Sequence, residues 1–436
     1  MIQKPVINIA LLGLGHVGSG SLKLLLQRQK NLAARIGRTL NVSHILVRDP
    51  KKYAHIDLQN TLLTTCFDDI LNNKNISIVV ELMGGEHPAF DYITRCLKAK
   101  KHVVTANKEV MAKHQKTFFD LAKKHDVDIY FEAAVAGGIP IIRSLKVGFA
   151  ANKIHCLHGI LNGTTNYILS KIKSEKCEFS TVLKKAQDLG LAEADPHMDV
   201  SGLDAAYKLV LLAAVSFKCL ISVKDVYYEG IESISLTDML YAEKLGYGIK
   251  LLAIGKHFEN KGYSFKVHPT LIPLDHPLCG IHDETNAVFV CGDAVGDALL
   301  AGKGAGSEPT ASAVVSDIID LAFDIDSPRS RRNLETDLQS VHCLDITESY
   351  SQFYIRLNLE DKAGALEKVS HVLNESGISI AQLLQEKDKN NEAHLIFITH
   401  ASFEHAFLKA KDALSKLDVV HTIAAFIRVR EAKDAG

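Results

Sequence analysis

The chain lacks the features that mark membrane, exported and disordered proteins. No uninterrupted apolar run approaches the ~20 residues that span a bilayer, and the first residues lead directly into a strand-like segment instead of an export signal. With 47% hydrophobic and 23% charged residues, the composition is that of a folded globular protein and excludes disordered, collagenous and fibrous classes. We therefore expect a cytoplasmic protein without a membrane anchor.

Paired cysteines and an excess of charge are also missing. The 8 cysteines include no C-x-x-C pair, so neither a zinc site nor a disulfide framework is indicated, and reduced, mostly buried thiols are expected. The 50 Lys and Arg against 51 Asp and Glu give a net charge of −1, which offers no support for a nucleic-acid partner.

The first part of the chain predicts a Rossmann-type parallel sheet. Val6–Leu12 is a buried strand pattern, and the glycine-rich turn after it leads into a helix pattern with Leu22, Leu25 and Leu26 on one face. Strand and helix patterns then alternate, which is typical of a doubly wound α/β fold. The further strand candidates are 45–47, Ile76–Leu82, His102–Thr105 and Val127–Phe131, and the helix candidates are Phe90–Ala99 and Met111–Lys124.

A length of 436 residues suggests about three units at ~150 residues each. We expect the Rossmann-type unit over 1–131, completed by a helix at 307–324, and an α+β substrate-binding and dimerisation unit over 132–306. A polar linker is expected over 325–350. The last unit, 351–430, has the strand-helix-strand-strand-helix-strand order of the ferredoxin-like motif.

The glycine motif after the first strand predicts a dinucleotide site. Gly13, Gly15 and Gly18 follow a strand and open a helix, the context in which a backbone turn approaches a pyrophosphate. An acidic residue after the second strand would bind a ribose hydroxyl, whereas an arginine would accept a 2′-phosphate. Arg48 and Asp49 are both present, with two lysines close behind, so NADP is favoured and NAD stays possible.

Two lysines and several carboxylates are the candidate reacting groups. Lys108 follows the strand ending at Thr105, where ligands of open α/β sheets bind. Asp204 and Lys208 share one face of an otherwise apolar helix, and the loop 189–199 before it holds three carboxylates. A surface ion pair and a solvated lysine are the alternatives. Together these groups would form a site for an ammonium group and a reacting oxygen.

These residues lie in segments that closely resemble homoserine dehydrogenase over about Ile7 to Phe323. The segments are Ala106-Asn107-Lys108, Glu132 to Pro140, Gly159 to Asn166, Ala192-Glu193-Ala194-Asp195-Pro196 and Gly302 to Gly306. The unit from Phe353 resembles an ACT domain, a ligand-sensing module, through Asp361, Gly364 and Leu366.

The resemblance implies reversible NAD(P)-dependent interconversion of L-homoserine and L-aspartate 4-semialdehyde, in threonine, methionine and isoleucine biosynthesis. It assigns Lys208 as the acid/base and Lys108 to the nicotinamide and substrate, and two adjacent lysines are expected to lower each other's pKa. Glu193 would bind the substrate ammonium, supported by Asp199 and Asp204. The cofactor residues would be Gly13, Leu14, Gly15, His16, Val17, Gly18, Arg48, Asn107, Lys108 and Gly304.

The resemblance also implies a metal, an effector and an assembly. Glu132 and the carbonyls of Val135, Gly137 and Ile139 would hold sodium, with an ordinary turn as the alternative. Asp361 and Gly364 would bind L-threonine as a feedback inhibitor, unless the module has lost its ligand and only dimerises. A homodimer or homotetramer is expected.

Two rival functions stay open at this point. A semialdehyde dehydrogenase would need an activated cysteine, but Cys156 lies in an ordinary apolar run and no other cysteine has a nucleophile setting. A nucleotide sensor without catalysis would not need Lys108, Lys208 and Glu193.

Overall fold

The computed structural model of the chain describes residues 6–325, 338–387 and 393–430. Its first sheet has six parallel strands in the order β3-β2-β1-β4-β5-β6, so the Rossmann-type prediction is confirmed. The strands are β1 (Val6–Leu12), β2 (Thr39–Leu46), β3 (Leu62–Thr64), β4 (Ile76–Glu81), β5 (His102–Thr105) and β6 (Ile129–Tyr130). The helices around them are α1 (His16–Gln27), α2 (Gln29–Ile36), α3 (Phe67–Leu71), α4 (Ala89–Lys98) and α5 (Lys108–His125).

The middle of the chain forms a mostly antiparallel sheet covered by helices. The helices that follow β6 in the chain are α6 (Ile141–Arg143), α7 (Gly163–Glu175), α8 (Phe179–Asp188), α9 (His197–Val200), α10 (Leu203–Phe217), α11 (Leu236–Lys244) and α12 (Ser307–Asp324). The strands of this part of the chain are β7 (Ile154–Ile160), β8 (Cys219–Leu220), β9 (Tyr227–Tyr228), β10 (Tyr247–Phe258), β11 (Gly262–Pro273), β12 (Thr285–Gly292) and β13 (Gly296–Lys303), of which β8 lies outside the large sheet. α10 is apolar on nearly every side because it runs through the core.

The helix α12 returns to the first sheet. It packs so closely on α1 that a Cβ at Gly20 would lie 2.5 Å from the Ser307 hydroxyl, and that hydroxyl donates to the His16 carbonyl at 2.6 Å. We propose that α12 completes the first unit over 1–131, with 132–306 as the second unit.

The C-terminal unit has the predicted element order. Its elements are β14 (Gln339–Ser340), β15 (Tyr350–Leu359), α13 (Ala365–Glu375), β16 (Ile380–Lys387), β17 (Ala393–Thr399), β18 (Ser402–Phe403), α14 (Glu404–Leu414) and β19 (Val420–Val429). β19 pairs in parallel with β11, so the strand order β13-β12-β7-β10-β11-β19-β15-β17-β16 runs through both units. The sequence did not indicate this continuous sheet.

Buried ion pairs also join the C-terminal unit to the middle unit. Arg356 on β15 donates from Nε to the fully buried Asp238 of α11 at 2.7 Å, and the Tyr354 hydroxyl donates to the same carboxylate at 3.1 Å. Arg428 on β19 pairs with Glu229, which follows β9 in the middle unit, at 2.8 Å, and also with Glu404 of its own unit. Removing one member would leave a buried charge without its counter-ion, so these contacts hold the units together.

Of the linker predicted over 325–350, residues 326–337 lie outside the described part of the chain. In the part that is described, β14 pairs with β8, and Cys343 forms a backbone β-bridge with Tyr263. The expectation of reduced thiols needs correction for one pair of cysteines. Cys156 and Cys291, opposite each other on β7 and β12, form a disulfide and are not reduced thiols. Scattered spacing cannot reveal that two strands will place two sulfurs side by side.

Among the described residues, no helix is both long and apolar enough to cross a membrane.

Candidate active site

The turn between β1 and α1 requires glycine at Gly13 and Gly18. Gly13 has φ +101°, a left-handed conformation that side chains rarely adopt. A Cβ at Gly18 would lie 2.4 Å from the Gly13 carbonyl oxygen, so only glycine lets the helix start so close to the strand. Gly15 caps α1 with its backbone, and no acidic residue lies in the first turn, which begins His16-Val17-Gly18. The exposed helix start therefore fits a pyrophosphate.

A cavity of about 570 Å³ extends from this turn to the end of β2. Gly13, Leu14, Gly15 and Arg48 line it, and so does Lys52. Asp49 also reaches the cavity, but its Oδ1 accepts the Lys51 amide at 3.0 Å and caps a short 3-10 helix. Arg48 is exposed at the cavity, and a guanidinium there suits a 2′-phosphate.

Asn107 and the buried Glu81 position the start of α5, where Lys108 lies. The Asn107 side chain accepts the Val110 amide at 3.1 Å and donates to the Gly85 carbonyl at 2.7 Å. The Thr105 hydroxyl accepts the Asn107 amide and donates to Glu81 at 2.6 Å. Burial raises the pKa of Glu81. Asn107 thus orients the start of α5, and its predicted contact with the cofactor stays a prediction.

The ammonium groups of Lys108 and Lys208 both contact the Asp204 carboxylate. Asp204 Oδ1 lies 2.5 Å from Lys108 Nζ, and Asp204 Oδ2 lies 2.7 Å from Lys208 Nζ. Lys208 Nζ also donates to the Leu161 carbonyl at 2.6 Å. Since Lys108 comes from the first sheet and Lys208 from α10, the site lies where the two units join. The structure thus brings the two predicted lysines together, and their roles in one site stay a prediction.

Asn162 connects the second predicted carboxylate to the pair. Its amide nitrogen donates to Asp199 at 2.7 Å and to Asp204 at 2.8 Å, while its oxygen accepts the Thr165 amide at the start of α7. Asn162 was not among the predicted site residues, although it lies in a segment that suggested the family. Its position before a helix, typical of an N-cap, was the available signal.

The two lysines differ in their proton affinity. Burial lowers the pKa of Lys208, Asp204 opposes this and Lys108 adds to it, and the pKa ends below the usual 10.5. Burial also acts on Lys108, but the Asp204 carboxylate more than offsets it and the pKa ends raised. Mutual lowering is therefore wrong for Lys108, because Asp204 bonds directly to it. Asp204 itself has a lowered pKa, since the two ammonium groups outweigh its burial.

Glu193 belongs to the loop that precedes Asp199. It is exposed in the loop between α8 and α9, where its carbonyl accepts from Gln187 at 3.1 Å. Thr164 holds the same loop by donating to the Leu191 carbonyl at 2.6 Å. Asp199, in contrast, is half-buried on α9, and burial raises its pKa. The structure brings Asp199 and Asp204 to the lysines, whereas the Glu193 side chain is exposed on the loop before α9.

Gly304 packs tightly against Asn286 and Gly137. A Cβ there would overlap the Asn286 side chain at 2.0 Å, and a Cβ at Gly137 would lie 2.4 Å from the Gly304 carbonyl. Asn286 is almost fully buried, and neither amide atom has a hydrogen-bond partner among the described residues. No sequence pattern singles out Asn286, which only the fold brings to Gly304.

The predicted sodium ligands share one turn. Glu132 is buried, its two carboxylate oxygens accept the Ile142 and Arg143 amides at 2.8 Å each, and burial raises its pKa to about 7. The Ile139 carbonyl already accepts the Ile141 amide, and Ala136 and Gly137 have left-handed φ values. Within the described ranges no group of three or more His, Cys, Asp or Glu side chains has a metal-binding arrangement. A set of one carboxylate and carbonyls such as Val135's would suit only a weakly bound hard cation.

The predicted effector residues lie at the start of α13. Asp361 pairs with Lys387 at 2.5 Å on the surface, and Gly364 begins the helix with φ +86°. This turn is far along the chain from the lysine pair and belongs to the C-terminal unit.

Comparison with known proteins decides the family. The sequence model of homoserine dehydrogenase matches residues 140–319, and the model of the homoserine dehydrogenase NAD binding domain matches residues 13–132. The chain belongs to the homoserine dehydrogenase family. Homoserine dehydrogenase of Bacillus subtilis is 38% identical over 425 residues, which cover 97% of this chain and 98% of that protein.

Solved homoserine dehydrogenases have the same fold. The crystal structure from Thiobacillus denitrificans superposes with a TM-score of 0.93 at 40% identity, covering 98% of this chain and 99% of the other. A hyperthermophilic archaeal homoserine dehydrogenase in complex with NADPH gives a TM-score of 0.61 at 25% identity and covers 72% of this chain and 97% of the other. The chain is an NAD(P)-dependent oxidoreductase of amino-acid biosynthesis that acts on a CH–OH group.

Proposed function

We propose that the chain interconverts L-homoserine and L-aspartate 4-semialdehyde with NADP as the preferred cofactor. The observation that carries this is the Lys108–Asp204–Lys208 cluster at the junction between the dinucleotide unit and α10. The cofactor, when bound, supplies or accepts the hydride. The protein must then hold the substrate and move one proton at its oxygen.

Lys208 is the proton carrier in this proposal. Its lowered pKa makes the neutral amine accessible, and a neutral amine takes the hydroxyl proton of homoserine as the hydride leaves. In the reverse direction the ammonium returns the proton to the aldehyde oxygen. Lys108, with its raised pKa, stays charged and orients Asp204 and the substrate oxygen. The pathway placement, towards threonine, methionine and isoleucine, follows from this reaction.

Asp199 and Glu193 are proposed to hold the substrate ammonium. Asp199 is fixed by Asn162, whereas Glu193 is exposed on the loop before α9. NADP-dependent absorbance change with L-homoserine, absent with L-serine, tests the reaction. The reaction would be contradicted if the absorbance changed neither with NADP and L-homoserine nor with NADPH and L-aspartate 4-semialdehyde.

The thiol mechanism has no support in the described residues, which include all eight cysteines. Cys156 forms a disulfide with Cys291, and burial raises the pKa of Cys96 and of Cys219 to about 12. No cysteine contacts the lysine cluster through any hydrogen bond of the described residues.

Cofactor choice is tested at Arg48. Arg48→Ala should raise the KM for NADP about 10–100-fold and change that for NAD less than about twofold, because only NADP offers a phosphate for a charge-assisted hydrogen bond. Lys51→Ala is the matched control, since Lys51 belongs to the same turn but does not line the cavity. Equal changes for both cofactors would remove Arg48 from phosphate binding.

A sodium ion is proposed at Glu132. Glu132 lies beside the buried Asp317, whose pKa burial also raises, and a cation would offset this concentration of acidic groups. Sodium chloride should therefore raise the melting temperature above that in choline chloride by a few degrees, and Glu132→Gln should abolish the difference. An identical rise in the variant would contradict sodium binding there.

Feedback inhibition by L-threonine through an ACT-type C-terminal unit is also proposed. The continuous sheet and the Arg356–Asp238 pair give that unit a rigid contact with the middle unit. Deleting the unit would leave the buried Asp238 without its partner Arg356 and would expose the edge of β11 that pairs with β19. A point variant is therefore the better test. Asp361→Asn should raise the threonine concentration for half inhibition about tenfold or more, since a charged hydrogen bond to the ligand ammonium is lost.

Asp412→Asn is the control for this variant, because Asp412 is an exposed, ion-paired aspartate on α14 of the same unit. Insensitivity of the unaltered enzyme to millimolar threonine would contradict the proposal.

A homodimer or homotetramer is proposed as well, and β13, an exposed edge strand of the large sheet, is a suitable contact surface. Sedimentation equilibrium measures the mass.

A further inference from the structure

Another cavity, of about 490 Å³, lies in the middle unit between α7, α11 and β10. Residues 279, 282 and 283, which follow β11, complete its lining. A volume of this size holds a small metabolite. The cavity shares no residue with the Lys108–Asp204–Lys208 cluster, and none of the predicted site residues lines it.

Lys250 on β10 is the buried amine of this cavity. It belongs to the lining and is only 4% exposed. Its Nζ donates to the Asn166 side-chain oxygen at 3.1 Å and to the Ile281 carbonyl oxygen. Both acceptors are uncharged, whereas Lys208 of the active site contacts the Asp204 carboxylate. Because a neutral amine has two N–H groups, these two acceptors satisfy it and leave its lone pair available.

The surroundings of Lys250 increase its share of neutral amine. Burial lowers the pKa of Lys250 to about 8, and the nearby Lys173 also lowers it, whereas Cys279 and Asp283 oppose the shift. Burial raises the pKa of Cys279, so this thiol keeps its proton, and Asp283 is paired with Lys171 at 3.0 Å. The other titratable groups of the lining are Lys176, Glu243, which pairs with Lys173 at 2.9 Å, and His282, whose pKa burial lowers.

A lysine amine that is desolvated in a cavity is suited to form a Schiff base. We propose that Lys250 is a modification site, at which a small aldehyde that enters this cavity forms an aldimine with Nζ. The Nζ lone pair attacks the carbonyl carbon, a carbon–nitrogen bond forms, and the carbonyl oxygen leaves as water with the two amine protons. No oxidant or reductant is consumed, and neither the dinucleotide nor the lysine cluster takes part.

Short incubations of the full chain with propionaldehyde at pH 7, stopped with sodium borohydride to trap the aldimine, test the proposal. Mass spectrometry of a digest then gives the labelling rate at each lysine. At this pH an amine with a pKa of about 8 is about 10% neutral, against about 0.04% for an ordinary lysine. Since burial slows access, we expect Lys250 to react about 10–100-fold faster than the exposed Lys184.

Lys101 is the matched internal control in the same digest. It is also 4% exposed, and it donates to the carbonyl oxygens of Asn73 at 2.7 Å and Ile76 at 2.9 Å. Burial lowers its pKa as well, but it does not line the cavity. We expect Lys101 to react about tenfold more slowly than Lys250 or less, because the cavity, and not burial alone, admits the aldehyde.

Asn166→Asp places a carboxylate where Lys250 has an uncharged acceptor. The carboxylate favours the ammonium, so labelling of Lys250 at pH 7 should slow about tenfold while that of Lys184 stays the same. If thermal melting shows that this variant does not fold, the rates of the three lysines in the unaltered chain decide. Saturating L-homoserine with NADPH, a pair that cannot turn over, should not slow the labelling of Lys250, because the cavity is separate from the active site.

The proposal is overturned if Lys250 reacts no faster than Lys184, or if Lys101 reacts as fast as Lys250. An unchanged rate at Lys250 in folded Asn166→Asp, or protection of Lys250 by homoserine with NADPH, would overturn it as well. None of these measurements depends on turnover, so they stand apart from the proposed reaction.

Discussion

Replacing Lys208 by alanine is expected to lower kcat about 10²–10⁴-fold, the usual loss when a positioned acid/base is removed. NADPH binding should not change, because the glycine turn and its cavity belong to the first sheet and share no residue with α10. Steady-state kinetics and a fluorescence titration with NADPH measure the two quantities separately.

Lys208→Arg separates proton transfer from charge. A guanidinium keeps the positive charge beside Asp204 but does not lose its proton in proteins, so it should be as inactive as alanine. If arginine restores turnover, Lys208 acts only as a cation and is not the proton carrier. A near-normal kcat in the alanine variant would remove Lys208 from the reaction altogether.

The first sheet was predictable because its strands are buried on both faces. The apolar runs at Val6–Leu12 and His102–Thr105 match β1 and β5 residue for residue. β3 was missed because it has only three residues, none of them fully buried, and no apolar pattern distinguishes it from a loop. Short, half-exposed strands depend on the neighbouring strand for their conformation.

The residue types of the candidate site were predictable from the sequence, but the contacts between these residues were not. Lys108, Asp204 and Lys208 stood out as charges in apolar or strand-end settings. That one carboxylate would bridge both lysines depends on how α10 packs against α5, which local patterns do not contain. The same is true of Asn162, which contacts Asp204 across 42 positions of the chain. The raised pKa of Lys108 follows from its own contact with Asp204.

The disulfide and the continuous sheet were not predicted for the same reason. Cys156 and Cys291 come together because β7 and β12 are neighbours in an antiparallel register. The pairing of β19 with β11 likewise joins segments from different units. Contacts between distant segments are set by tertiary packing, and a single sequence shows only the local pattern.

Asp204→Asn is expected to lower kcat about 10²-fold or more and to lower the free energy of unfolding by about 3–5 kcal/mol at neutral pH. The amide cannot counter two ammonium groups, so Lys208, with a side chain only 11% exposed, becomes a buried cation without its partner. Its pKa should fall further below 10.5, because the carboxylate that raised it is gone. The ascending limb of kcat/KM for homoserine oxidation should therefore move to lower pH while its height drops.

The pH dependence of stability gives this prediction a second measurement. Asp204 has a lowered pKa in the folded chain, so its stabilising contribution is complete above its unfolded pKa, near 3.8, and is lost as the pH falls towards the folded value. The stability difference between the wild type and Asp204→Asn, measured by urea unfolding, should be largest at neutral pH and shrink below about pH 4. Asp120→Asn, at an exposed ion pair on α5, is the control and should cost less than about 1 kcal/mol. If the Asp204 variant is as stable as that control, or its rate profile moves to higher pH, Asp204 does not hold Lys208 in the way the geometry indicates.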